Sequence, residues 1–285
     1  MSENMEYWVT RHSLSGKGVE ESPGLTPEGV DLARERAKSI AELIKNSEEG
    51  SVIFYGGVTS APRTRSTMEL YADEVEQLLT EEGAQARFIK KEDIKERADE
   101  SGYLRTAKEL ADSIDSAPNE KVMIELPIFL KEFSMEKYLC EEDGVTVKPL
   151  WQALLDKHGK NYSEAIKDWF SNAELRDSVD PEAMAKDCMA GMQRLGDFAR
   201  RFIANRPVKI GFVGHSFIID ALLTYIANGG TVTSEGFGEI GGDVVKETEL
   251  STIEFDQNGK LHLQYRGNDF VFESPDDSDA AQSTQ

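Results

Sequence analysis

Two patterns of apolar positions take turns along this chain: short, nearly continuous runs and longer stretches at helical spacing. The run Tyr7, Trp8, Val9 and Thr10 is rich in strand formers and reads as a buried strand. A Gly- and Ser-rich loop, 13–24, leads to Leu25-Thr26-Pro27-Glu28-Gly29, a helix start with Thr26 as N-cap and Pro27 at the first helical position. Leu32, Ala33, Ala37, Ile40, Ala41 and Ile44 carry that helix to about Lys45. Ser51 to Tyr55 is a second buried strand. A loop over 56–62 follows, then a helix bearing Arg63, Arg65, Thr67, Leu70, Tyr71 and Val75, and Ala86 to Ile89 is a third strand.

From about Ser101 to Asn205 the spacing is mostly helical, with acidic faces and Trp151, Leu154, Leu155, Ala165, Ile166, Trp169 and Phe170 as buried positions. Lys121 to Phe129 offers one extended stretch, before or after Pro127. The segment from Gly102 to about Ser178 is expected to be a largely helical insertion packed over the site, with more core as the alternative. Met184 to Ile203 is an amphipathic helix. Val208 to Val213 is a buried strand that runs through Gly214-His215-Ser216 into a helix over 217–227, closed by Gly229 and Gly230. Glu249 to Phe255 and Lys260 to Tyr265 alternate around Asp256-Gln257-Asn258-Gly259, a hairpin signal. Strands alternating with helices predict an α/β fold: a three-layer sandwich with a mostly parallel central sheet flanked by helices, a largely helical insertion (about 102–178) and a C-terminal β-hairpin. Residues 1–272 are expected to form a single domain. Residues 273–285 lack apolar pattern and read as a disordered acidic tail.

Composition adds constraints. With 285 residues, 39% of them hydrophobic, the chain can bury a full core. A formal net charge of -21 argues against nucleic acid or an anionic membrane as partner, because a negative field repels both. Two cysteines, Cys140 and Cys188, are too few for a disulfide framework and lack metal-like spacing, which points to a reducing compartment. No basic leader opens the sequence and no apolar run approaches the roughly 20 residues of a spanning helix, so a soluble, cytoplasmic protein is expected. No long heptad pattern sets an oligomeric state.

Three times, a predicted strand runs out toward cationic or titratable residues at a turn: Arg11 and His12, Arg63, and His215. Parallel strands deliver such ends to one edge of a sheet, where ligands of open α/β sheets bind. Two Arg and two His gathered there suit a phosphoryl dianion: each guanidinium offers a fork of donors, and helix N-termini near Arg63 and Ser216 add backbone N–H groups. Such a cluster is also what the global negative charge demands of any phosphate site.

On these residues the chain resembles the histidine phosphatase superfamily, the phosphoglycerate mutase-like proteins. The family's strand followed by Arg-His-Gly is matched by Val9-Thr10-Arg11-His12-Ser13, with Ser15 on the Ser that often follows. Its Leu-Thr-x-x-Gly helix start is matched by Leu25 to Gly29. Its turn into Arg, with Thr four residues on, is matched by Ser60-Ala61-Pro62-Arg63 and Thr67. Its strand into Gly-His is matched by Gly211 to Ser216. The resemblance covers roughly the first 100 and last 80 residues and leaves the middle third uncovered.

The resemblance implies that His12 is the nucleophile, forming a phosphohistidine that water hydrolyses. It implies that Arg11, Arg63 and His215 neutralise the phosphoryl oxygens, that Ser15 and Ser216 contact substrate, and that a carboxylic acid protonates the leaving group. Glu96, 33 residues after Arg63, is the first choice for that acid, with Asp99 and Glu125 as alternatives. No cofactor and no catalytic metal are expected. The activity implied is that of a metal-independent phosphatase acting on a small phosphate ester with a neutral or cationic remainder. A mutase-type isomerase and a non-catalytic phosphate-ester-binding module are the alternatives. The sequence departs from the pattern at Ser13 in place of Gly, at Gly18 where many members have Asn, and in the turn Gly56-Gly57-Val58-Thr59. Thr67 sets the register in favour of Arg63 over Arg65. His158 reads as a helix C-terminal residue, His262 as a strand surface residue, and Trp151 and Trp169 as core.

Overall fold

The apolar runs become neighbouring strands of one eight-stranded sheet in a computed structural model, which describes residues 5–17, 20, 22–59, 61–90, 92, 114, 118–129, 131–141, 146–159, 161–203, 206–256 and 260–273. The strands are β1 (Met5–Arg11), β2 (Val52–Val58), β3 (Ala86–Ile89), β4 (Lys121–Phe129), β5 (Val208–Gly214), β6 (Leu250–Phe255), β7 (Leu261–Tyr265) and β8 (Asn268–Phe272), in the order β3-β4-β2-β5-β1-β6-β7-β8. The first five in that order are parallel, and β6 to β8 continue the sheet antiparallel. Tyr7, Val9, Val52, Phe54, Ile210 and Phe212 face one core, while Trp8, Ile53, Tyr55 and Val213 face another. Burial on both faces is why these strands read as continuous runs and not as alternations.

Two helices, α1 (Pro27–Asn46) and α2 (Pro62–Glu81), cover the Trp8 face with Ala33, Ala37, Ile40, Ile44, Met68, Tyr71, Val75 and Leu79. The opposite face carries α3 (Met135–Leu139), α4 (Pro149–His158), α5 (Tyr162–Ser171), α6 (Ala173–Ser178), α7 (Pro181–Phe202), α8 (Ser216–Ala227) and α9 (Ser234–Glu239). Every residue of α8 from Ser216 to Ile226 is buried, so this helix is apolar nearly all round. Trp151 and Trp169 belong to the core, edge to face at 5.0 Å. The result is the expected three-layer α/β sandwich. No helix among the described residues is long and apolar enough to cross a membrane.

Two features add to the expected plan. Within the segment 102–178, β4 lies inside the central sheet between β3 and β2, and the helices α3 to α6 follow it. Pro127 is accommodated where the register slips: Tyr55 pairs with Glu125 but Gly57 with Ile128, so β4 carries an extra residue over 126–127 and no ladder N–H is demanded there. The C-terminal hairpin in turn gains a third strand, β8, through the two-residue loop Arg266-Gly267, with φ of 50° and 77°. Such a loop needs two left-handed residues, and a non-glycine there is strained. Arg266 is held in place by its guanidinium, which donates to Glu249 at 2.8 Å and to the carbonyls of Asp243 and Val244 at 2.9 and 3.1 Å. The expected acidic tail beyond Glu273, the start of the 102–178 segment and the hairpin tip at 257–259 lie outside the described residues.

Candidate active site

β2, β5 and β1 are adjacent, and the chain leaves all three at the same edge of the sheet. His12 follows β1, Thr59 follows β2, and His215 follows β5 as the N-cap of α8. The connection from β1 to β2 passes over β5, which makes a crevice at the carboxyl ends of these strands.

Local sequence explains how His12 is presented. The Thr26 hydroxyl accepts from Gly29 N–H at 3.0 Å, and Thr26 N–H donates to Leu14 carbonyl at 3.1 Å, so the helix start is tied to the loop after the histidine. A Cβ on Gly29 would lie 2.3 Å from that same carbonyl, which is why glycine closes the motif. Ser13 is fully buried, and its hydroxyl donates to Gly29 carbonyl at 2.6 Å, so the side chain added by this departure faces α1. Ser13 N–H donates to Thr67 Oγ1 at 3.0 Å, and Thr67 in turn donates to Arg63 carbonyl at 2.8 Å. Thr67 therefore couples the loop of His12 to the first turn of Arg63. Arg65 points to solvent.

The cluster itself is tight. The two imidazole rings lie 5.2 Å apart, edge to face, and one guanidinium spans them. Arg63 Nε donates to His12 Nε2 at 3.2 Å, and Arg63 Nη2 lies 3.4 Å from His215 Nδ1. His12 Nδ1 is 2.7 Å from the Ser13 carbonyl, an acceptor only, so the ring proton sits on Nδ1 and the Nε2 lone pair faces the crevice. His215 is oriented likewise from behind: its Nε2 is 3.0 Å from Thr59 Oγ1. Thr64, 3.0 Å from Thr59, spends its own proton on the Ala61 carbonyl at 2.8 Å. Thr59 then donates to Thr64 and accepts from His215 Nε2–H, leaving Nδ1 to face Arg63. Burial, with Arg63 and Arg11 nearby, pushes His12 down to about 3 and His215 to about 2, so both rings are neutral across the ordinary pH range.

Helices α1, α5, α6, α7 and α9 begin with a side-chain cap, whereas α2 and α8, both starting at the cluster, have none, and α4 also starts without one. Their open N–H groups suit an anion. Ser216 is buried at the first turn of α8. Ser15 is exposed, with its backbone bridged to Leu25, and among the described residues no hydrogen bond joins its side chain to the cluster.

Arg11 is held differently from Arg63. Its Nη1 donates to Val245 carbonyl and its Nη2 pairs with Glu247, each at 2.7 Å, while its backbone carbonyl accepts from Thr248 N–H at 3.1 Å. Glu96 and Asp99 lie outside the described residues. Glu125 is described: it stands midway along β4 and lines an acidic cleft of about 190 Å³ with Ser66, Glu69, Asp73, Lys90 and Glu92. His158 ends α4 beside Asp168 at 2.9 Å, and His262 is on the exposed side of β7. Among the described residues no group of three or more His, Cys, Asp or Glu is arranged to hold a metal ion.

Thr59, Asp220 and Glu247 are the site residues that sequence reasoning missed. Asp220, in α8, accepts from Val245 N–H at 2.9 Å, and burial pushes its carboxyl up to about 8. It opposes the histidines in pH-dependent stability. Below their ordinary 6.5, the unfolded chain binds protons on both rings that the folded protein refuses, so stability falls as pH drops toward 3. Asp220 keeps a proton that the unfolded chain has released, so its contribution is full below 3.8 and is lost as pH rises toward 8. Each group is worth about 1.4 kcal/mol per pH unit in its window. Among the described residues the carboxylates with lowered values act at more acidic pH. The expected outcome is a melting temperature that peaks near pH 6.5, falls toward both 5 and 8, and loses its alkaline decline in Asp220→Asn. A wild-type protein equally stable at pH 6.5 and 8 contradicts this account.

No family model matches the sequence, and no curated protein does. Solved structures align over most of the chain at low identity. One described as mycobacterial hydrolase 1 has 12% identity and a TM-score of 0.46, covering 93% of this chain and 99% of its own. A mycobacterial glucosyl-3-phosphoglycerate phosphatase has 11% identity and a TM-score of 0.40, covering 88% and 90%. Phosphoglycerate mutase from Plasmodium falciparum has 8% identity and a TM-score of 0.34, covering 93% and 92%.

Proposed function

We propose that this chain is a phosphomonoesterase of the histidine phosphatase type, hydrolysing a small phosphate ester without a metal through a phosphohistidine at His12. The observation that supports this reading most directly is the unprotonated Nε2 of His12, buried beside Arg63 and a second neutral imidazole. In the first step that lone pair forms a bond to phosphorus as the ester P–O bond breaks, and a carboxylic acid, Glu96 by the family resemblance, gives the leaving alkoxide its proton. In the second, water attacks phosphorus, the same carboxylate takes the water's proton, and the P–N bond breaks to release phosphate and His12. Arg63, Arg11 and the N–H groups at Ser216 balance the charge on the equatorial oxygens, and His215 joins them when the bound dianion draws a proton onto its Nδ1. Ser15, on the exposed loop, would meet the ester's organic part. The negative charge of the rest of the chain favours a small-molecule substrate over nucleic acid or membrane.

The test is hydrolysis of a generic aryl phosphate in excess chelator, with vanadate as inhibitor. Undiminished turnover in chelator and inhibition by vanadate are expected. Loss of turnover on chelation overturns the metal-free mechanism.

A further inference from the structure

The strap before β6, residues 243–248, meets the site at Arg11. It grips Arg11 at three points: the Val245 carbonyl on Nη1, the Glu247 carboxylate on Nη2, and Thr248 N–H on the backbone carbonyl. Thr248 is buried at a φ of 58°, a left-handed conformation that the surroundings must hold in place. Part of that hold comes from Arg266, which takes the carbonyls of Asp243 and Val244, and from Ser163, which accepts from Val244 N–H at 3.1 Å. The next residue along, Val245, has its N–H on Asp220 and its carbonyl on Arg11.

Asp220 lies one helical turn beyond Ser216, on the same helix that His215 caps. It is fully buried, and among the described residues its Oδ2 has no hydrogen-bond partner. A carboxyl in that position is a costly way to fill space, since an apolar side chain of equal volume carries no desolvation penalty. Its one described hydrogen bond is the one to the Val245 peptide. We propose that Asp220 is a positioning residue for Arg11, acting through the backbone of Val245, whose N–H it holds and whose carbonyl holds Arg11, to aim the guanidinium at the anion bound between His12 and His215. The inference rests on the phosphate-ester reading only in taking Arg11 as an anion contact.

The peptide link predicts which changes matter. Asp220→Asn keeps an oxygen acceptor for Val245 N–H, whereas Asp220→Leu keeps volume and removes the acceptor. Inorganic phosphate binding is measured by calorimetry on the full chain near pH 6, with melting curves to establish folding. Asp220→Leu is expected to weaken phosphate about tenfold, on the scale of one hydrogen bond to a charged group, and Asp220→Asn to stay within about twofold of wild type. In the cycle with Arg11→Met, the double variant with Asp220→Leu is expected to bind no more weakly than Arg11→Met alone. Additive losses, or wild-type affinity in Asp220→Leu, overturn the proposal. Should Asp220→Leu fail to fold, Asp220→Ser, too short to reach the Val245 N–H, takes its place in the cycle. A wild-type protein that binds phosphate but releases none from an aryl ester ends the phosphatase reading and leaves this cycle fully readable. One that binds no phosphate ends both.

Discussion

Replacing His12 by asparagine is expected to lower phosphate release from an aryl phosphate by about 10⁵-fold or more, the scale on which loss of a covalent nucleophile is felt. Asparagine is the informative substitution because its amide N–H can replace Nδ1–H on the Ser13 carbonyl, 2.7 Å from the ring in the native site. Loop geometry is thereby kept while the Nε2 lone pair is lost. Alanine leaves that buried carbonyl without its donor and mixes a folding effect with the chemical one. Two measurements belong together. Quenching wild-type turnover in base should trap an acid-labile phosphoryl group on the protein, absent from His12→Asn, while the variant still binds inorganic phosphate through Arg63, Arg11 and His215. Near wild-type hydrolysis by His12→Asn removes the phosphohistidine from the mechanism. Binding without hydrolysis or label in the wild-type protein favours a phosphate-ester-binding module.

What could be read from the sequence follows a physical division. His12, Arg63 and His215 were legible because each stands just past a buried strand, and parallel strands send such positions to a common edge whatever the sheet order. Sheet order itself was not legible. Nothing in the run Lys121 to Phe129 says that it inserts between β3 and β2, and Pro127 argued for a break where the structure uses a register slip. β8 escaped because Arg-Gly is a weak turn signal beside Asn-Gly, and its cost is offset by contacts of Arg266 to residues 17 to 23 positions earlier. The same reach hides the supports of the site. Thr59 lies in a turn recognised only as a departure, yet its hydroxyl orients His215 from 156 positions away. Glu247 and Val245 meet Arg11 across more than 230 positions, from a strap with no periodicity to announce it. Side chains that do chemistry left a local signal; those that aim them did not.

Arg63 is the second position where a large loss is expected, and the reason is geometric. Its Nε and Nη2 meet the two imidazoles at 3.2 and 3.4 Å, so one planar fork defines the space that the proposed mechanism gives to the phosphoryl group. Arg63→Met is expected to lower kcat/KM by about 10³-fold, the upper range for losing a preorganised donor to a developing negative charge. Arg63→Lys should recover little of it, since a single ammonium cannot address both rings at once. A second readout separates charge from shape. Burial is the main reason both histidines stay neutral, but Arg63 is the nearest positive charge lowering each of them. Removing that charge raises both values, so the ring protons of His12 and His215 should titrate at higher pH in Arg63→Met than in wild type, as followed by NMR. In Arg63→Lys the charge remains and the values should stay close to wild type even though the rate does not recover. If Lys restores the rate as well as the titration, positive charge alone suffices and the fork is unnecessary. If Met changes neither, Arg63 does not face the reacting phosphoryl group and the two imidazoles must be held apart by something else.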